Sequence, residues 1–135
     1  GTTYYVVVRA RDEAGNQDGN VVEKSGRTFL APTVSFATDV QPIFNANCSG
    51  CHGGSGNLSL APGSSHANLV NVPTVCNPSQ RRVVPGDHLS SQLWLKVTNH
   101  ANKCGGEMPA GSGTGLSAPD ALKIEKWINE GALNN

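Results

Sequence analysis

Apolar and polar positions alternate at the start of the chain. Tyr4, Val6, Val8 and Ala10 fall on one side, and Tyr5, Val7, Arg9 and Arg11 on the other. That period of two predicts a strand. Residues 12–20 are rich in Gly, Asn and Asp and mark a turn region, after which residues 21–29 return as a second strand. Residues 30–35, with Pro32 among them, read as a linker. The period then changes. Val40, Ile43, Phe44, Cys48 and Cys51 share one stripe of a helix, and Thr38 with Gln41 three positions later predicts a capping box at its start. Pro42 is tolerable in the first turn. Residues 53–65 read as a long irregular loop. A short helix starting at Asp87 or Ser90 runs through Leu93, Trp94 and Val97 to about Asn99. Ser117 and Asp120 form a second capping box, and the helix they open places Ala121, Ile124, Trp127, Ile128 and Gly131 on one face, with Gly131 as the C-terminal cap.

The chemistry concentrates at Cys48-Ser49-Gly50-Cys51-His52. This is the Cys-x-x-Cys-His pattern of covalent c-type haem attachment. Cysteines three apart on a helical turn point the same way, so both sulfurs reach the vinyl groups on one haem edge. The histidine beside the second cysteine is then the proximal iron ligand. Two other readings of the cysteines are weaker. A thioredoxin-like site would sit in a strand-helix-strand pattern, which is missing, and would leave His52 idle. A zinc site completed by Cys76 and Cys104 would ordinarily draw on two closely spaced pairs, and these two are far apart in sequence.

Composition changes the picture in one respect. Apolar residues are 37% and aromatics 5% of the 135 residues, with 16 glycines and 8 prolines, a lean supply for a core of this length. A haem would make up the deficit, and Leu58, Leu60 and Leu69 are expected to fold the glycine-rich loop onto the haem edge or the core. Net charge is zero, and no basic run points to nucleic acid or an anionic membrane. No apolar run is long enough for a membrane span. No signal peptide is visible, and the chain opens inside a strand-like pattern, as a mature or excised fragment would.

Opposite His52 the iron needs a second ligand or an open position. Met108, the sole methionine, sits in a glycine-rich loop and is stiffened by Pro109. A neutral thioether favours ferrous iron and raises the potential relative to a second histidine. His66, His88 and His100 are the rivals, with His100 foremost because it lies near Met108. Arg82, then Arg81, are expected to donate to the haem propionates, and Trp94 to offer its indole N–H. Cys76 and Cys104 are expected to pair in a disulfide, in keeping with an oxidising compartment.

Two family resemblances follow from these residues. The segment with Asp39-Val40-Gln41-Pro42-Ile43-Phe44, Cys48 to His52, Arg82-Val83-Val84-Pro85-Gly86-Asp87, Met108-Pro109 and the Trp127-Ile128 helix resembles a class I-like mono-haem cytochrome c domain, from about residue 36 to 133. The loop between His52 and Arg82 departs from that pattern. Thr2-Thr3-Tyr4, Val6, Val8, Ala10 and residues 12–16 look like the last two strands of a fibronectin type III domain, with Tyr4 as its corner tyrosine.

Together these resemblances imply residues 1–31 as a fibronectin-like β-hairpin remnant and residues 32–135 as a cytochrome c domain. The fold class expected is mostly α, a cytochrome c-like helical haem domain with long loops behind a short N-terminal β-hairpin. The implied function is electron transfer by one haem c, attached through Cys48 and Cys51 and ligated by His52 and Met108. The chain would be a carrier rather than an enzyme, a module of a larger exported redox protein in the periplasm or outside the cell. Its expected partners are a redox donor and acceptor. The hairpin would be ordered by packing on the haem domain or by a homodimer pairing two copies. A peroxidase-like haem enzyme, or a gas or redox sensor, would instead need an open or displaceable sixth ligand.

Overall fold

The computed structural model describes residues 3–27 and 32–135. It divides into two compact units, Gly1–Ala31 and Pro32–Asn135.

In the first unit β1 (Thr3–Val6) pairs antiparallel with β2 (Lys24–Arg27), in a register that sets Thr3 opposite Arg27 and Val6 opposite Lys24. Both strands are shorter than the alternating pattern predicts. From Ala10 onward the backbone is taken up by turn chemistry instead. Both carboxylate oxygens of Asp12 accept from Asn16, one from its amide at 2.8 Å and one from its side chain at 2.9 Å. Asp18 likewise accepts from the Ala10 amide at 2.9 Å. These side-chain contacts shape the turn, where pairing recurs only as a single bridge between Arg11 and Gln17. Tyr5, Val6, Val8, Val21 and Val22 are left exposed within this unit. The side chain of Tyr4, expected as a corner tyrosine, and the end of the return strand at residues 28–29 lie outside what is described, as does the start of the linker at 30–31.

The second unit begins with a widened helical turn, Phe36–Val40, which runs directly into α1 (Gln41–Asn47). The capping box forms three residues earlier than the Thr38–Gln41 pairing predicts. Ser35 is the N-cap: its hydroxyl accepts from the Thr38 amide, and its own amide donates to Asp39. Gln41 is free of capping duty because it is buried, donating to the Leu60 carbonyl at 3.0 Å and accepting from the Ser65 hydroxyl. A helix, α2 (Ser65–Leu69), occupies a stretch that reads from sequence as loop. The third, α3 (Gln92–Val97), starts at the N-cap Ser91 and stops at Thr98. The fourth, α4 (Ala118–Asn129), starts at Ser117, whose hydroxyl accepts from the Asp120 amide, and it buries Ala121, Ile124, Trp127 and Ile128.

The core joins the two ends of this unit. Phe36 lies 5.1 Å from Trp127 and 6.1 Å from Phe44 between ring centroids. Glu130 accepts from the Thr33 and Val34 amides and the Thr33 hydroxyl, and Asn135 accepts from the Phe36 and Ala37 amides. Helix and helical turn together make up about 30% of the chain. The regular structure of this unit is helical, while irregular loops carry most of its length. Among the described residues no helix is long and apolar enough to cross a membrane.

Candidate functional site

A cavity of about 290 Å³ opens between α3, the end of α2 and the loops around them, and its wall is almost wholly apolar. Leu58, Leu60 and Leu69 line it, joined by Leu93 and Val97 of α3. Cys48, His52 and Met108 also line it. The cavity thus gathers, from two separate stretches, a thiol and an imidazole of residues 48–52 and the thioether of Met108, which the sequence points toward one cofactor.

The cysteine motif begins where α1 ends. Cys48 is the C-cap, and residues 48–52 form a tight turn in which the amides of Cys51 and His52 both donate to the Cys48 carbonyl. The stripe predicted to continue through Cys51 stops at Cys48: Cys48 is half-buried in the cavity wall, while Cys51 is exposed and outside that wall. Burial, and next the neighbouring Cys51 thiol, push the Cys48 thiol up to about 11. An activated redox thiol is shifted the other way.

His52 is held by the loop that follows it. The Leu60 amide donates to the His52 carbonyl at 2.8 Å and closes the loop on itself. Inside it, a single helical turn at Ser55–Asn57 aims the Ser55 carbonyl at His52 Nδ1, 2.9 Å away. A carbonyl only accepts, so the neutral ring carries its proton on Nδ1 and presents a bare Nε2 lone pair. That is the arrangement in which an imidazole binds a metal. Gly56, with φ of +69°, lies beneath this ring, and a Cβ there would come within 3.9 Å of His52 Cε1.

Met108 is half-buried and packs on the core. Its loop is tied to α3 by contacts that composition does not announce. The Met108 amide donates to the Lys96 carbonyl at 3.0 Å. Lys96 Nζ donates to the carbonyls of Cys104 and Gly106, and buried Gln92 accepts from the Cys104 amide at 2.9 Å. Cys104 and Cys76 lie at disulfide distance, with Cα atoms 5.9 Å apart, so the base of the methionine loop is also linked to the segment at residues 74–76 that lines the cavity.

No family model, curated protein or solved structure matches this chain.

The three rival histidines all lie outside the cavity wall. His66 is tilted edge-on between Phe36 and Trp127, and its Nε2 bonds the Ala132 carbonyl at 2.8 Å. His88 meets Asn129 through Nδ1 and packs against Trp94 at 4.6 Å. His100 accepts from the Asn102 amide and lies 5.8 Å from Trp94. Of the expected propionate donors, Arg82 alone lines the cavity. Arg81 is exposed, and Trp94 lies outside the wall with its buried indole N–H lacking an acceptor. Arg82 directs its guanidinium to three backbone carbonyls: Asn68 at 2.8 Å, Asn57 at 2.9 Å and Gly56 at 3.5 Å. Burial lowers its pKa from the ordinary arginine value.

The residues that sequence reasoning missed, Ser55, Gln92 and Lys96, act through or upon backbone carbonyls and amides. Among the described residues no cluster of three or more His, Cys, Asp or Glu is set to hold a metal ion, so the four cysteines do not gather into a zinc site.

Proposed function

We propose that this chain carries one haem c, attached through Cys48 and Cys51 with His52 and Met108 as axial ligands, and that its function is one-electron transfer. The observation that carries the reading is the joint presence of Cys48, His52 and Met108 on an apolar cavity, with His52 Nδ1 already committed to the Ser55 carbonyl. Cys48, His52 and Met108 fit the group, whereas Cys51 lies exposed outside the wall and is assigned by the Cys-x-x-Cys-His pattern alone. The wall offers one imidazole nitrogen and one thioether, and its leucines match the apolar body of a porphyrin. When bound, the haem supplies Fe(III)/Fe(II) cycling at a potential tuned by its axial ligands.

The protein's part is to hold and shield. His52 is oriented by its loop, Met108 by the ties to Lys96 and Gln92, and the leucines exclude water from the space between. Trp94, next to the wall residue Leu93, carries a buried indole N–H without an acceptor, of use to a haem carboxylate. In this reading the chain is an electron carrier in the periplasm or outside the cell, serving a redox donor and acceptor, and the pairing of Cys76 with Cys104 suits that compartment.

Met108→Ala tests the ligand assignment. The variant should retain covalent haem, bind added imidazole or carbon monoxide, and show a potential lower by on the order of 0.1 V, part of the ~0.8 V that axial ligands span. A spectrum and potential unchanged from the parent would remove Met108 from the iron.

A further inference from the structure

Arg82 stands out because its guanidinium is spent on backbone. One nitrogen, Nη1, donates to the Asn68 carbonyl at the end of α2, and the other, Nη2, donates to the carbonyls of Asn57 and Gly56. The two targets are distant in sequence, and the planar fork bridges them. Asn57 and Gly56 directly follow Ser55, the residue whose carbonyl receives His52 Nδ1–H. Both have backbone conformations with positive φ, +52° at Asn57 and +69° at Gly56. Such a turn has little intrinsic preference for its shape, and an outside contact must hold it. The loop contains little else to do so: Gly53, Gly54, Ser55, Gly56 and Asn57 are all exposed.

Arg82 is itself fixed from behind. Its amide donates to the Val72 carbonyl at 2.8 Å and its carbonyl accepts from the Leu93 amide at 2.8 Å, which joins it to the first turn of α3. A rigid backbone thus carries a charged fork that clamps a glycine-rich turn.

We propose that Arg82 is the positioning residue of the proximal loop: by bridging the Asn68 carbonyl to those of Gly56 and Asn57, it keeps the Ser55 carbonyl on His52 Nδ1. The proposal rests on the reading of His52 as an iron ligand, and it departs from the simpler role of Arg82 as a counter-charge for a propionate. A bridge needs two directed arms, whereas a counter-charge needs only the positive charge. Lysine separates them, since its ammonium is a single point and cannot span both carbonyl sets.

The test uses the full chain with haem attached, as parent, Arg82→Lys and Arg82→Gln. Amide hydrogen exchange is followed across residues 53–60, and the exchange of the His52 Nδ1 proton by NMR. Both variants should exchange faster at these positions by roughly tenfold or more, the factor set by losing a charge-assisted hydrogen bond. Lysine should not rescue, and the potential of each variant should keep the parent's dependence on pH. Parent-like exchange in both variants overturns the proposal. So does rescue by lysine together with a new pH dependence of the potential in Arg82→Gln, the mark of a propionate that has lost its counter-charge. The parent's spectrum reports the His52 assignment separately, because a haem without histidine ligation shows there whatever the loop does.

Discussion

Gly115 shows how much can rest on one missing side chain. Its φ is +88°, and a Cβ at this position would lie 2.1 Å from the Val97 carbonyl oxygen, an impossible contact. The approach is needed because the next amide, that of Leu116, donates to the same carbonyl at 2.7 Å and so docks the end of the methionine loop on α3. Gly115→Ala should lower stability by on the order of 2–4 kcal/mol, measured by thermal or denaturant unfolding. A loss below about 0.5 kcal/mol, the scale of an ordinary surface substitution, would mean that the loop docks in another way.

At this scale the legibility of the sequence is uneven. Cys48, His52 and Met108 could be singled out because the first two belong to a Cys-x-x-Cys-His pattern and the third is the sole methionine, and the structure sets all three on one cavity. Arg82, Lys96 and Gln92 could be noticed as polar residues, but their partners are carbonyls and amides, which every residue possesses. No residue type marks such a partner, so the sequence points Arg82 toward a carboxylate and gives Lys96 no role.

Among the elements, α1, α3 and α4 were legible from their apolar positions, and the five-residue α2 was not. The last helix, α4, has Ser117 as cap and a face of Ala121, Ile124, Trp127 and Ile128, and local and tertiary preferences agree there. The five residues of α2, Ser-His-Ala-Asn-Leu, have no such pattern. They form a helix because tertiary contacts pull them into one: Ser65 is fully buried against Gln41, and Asn68 donates to the Ser59 carbonyl at 3.0 Å. The Thr38 cap failed for a related reason, since Ser35 offers the same hydroxyl chemistry and Gln41 is wanted in the core.

The tie between the entry segment and α4 gives an element-level prediction. Desolvation would raise the Glu130 carboxyl, but hydrogen bonds from the Thr33 hydroxyl and the Val34 and Thr33 amides, aided by nearby Lys126, hold it below the ordinary glutamate value of 4.5. A carboxyl depressed in the folded state adds stability above its unfolded pKa and loses it as pH falls through the folded one. Glu130→Gln should therefore destabilise at pH 7 by about 1 kcal/mol, a modest figure because the carboxylate is accessible to solvent. The gap between parent and variant should narrow as pH is taken well below 4.5. Unfolding curves at both pH values check this, and a gap that is constant or wider in acid would contradict it.

For the whole molecule, the second unit is built around a space. Its core runs from Phe36 and Phe44 to Trp127 and Ile128, and beside it the leucines of an otherwise polar loop line a cavity rather than fill it. The thin apolar composition suits the proposed reading, in which a haem would fill that part of the interior. The division of the chain near residue 31 was legible as a change from period two to period 3.6, with a proline between. The extent of the hairpin was not, because Asp12, Asn16 and Asp18 form local hydrogen bonds that a count of alternating residues ignores.

Covalent attachment of a haem through Cys48 and Cys51, with His52 and Met108 as ligands, is tested most directly by one absorption spectrum. The chain would be exported in a host that attaches haem c, then purified and measured oxidised and reduced, before and after denaturation. One haem per chain should stay with the denatured polypeptide, and the native spectrum should be six-coordinate and low-spin with the weak far-red band of methionine ligation in the oxidised form. Haem that is absent, or that separates from the chain on denaturation, would contradict the attachment, and a high-spin native spectrum would contradict the ligands.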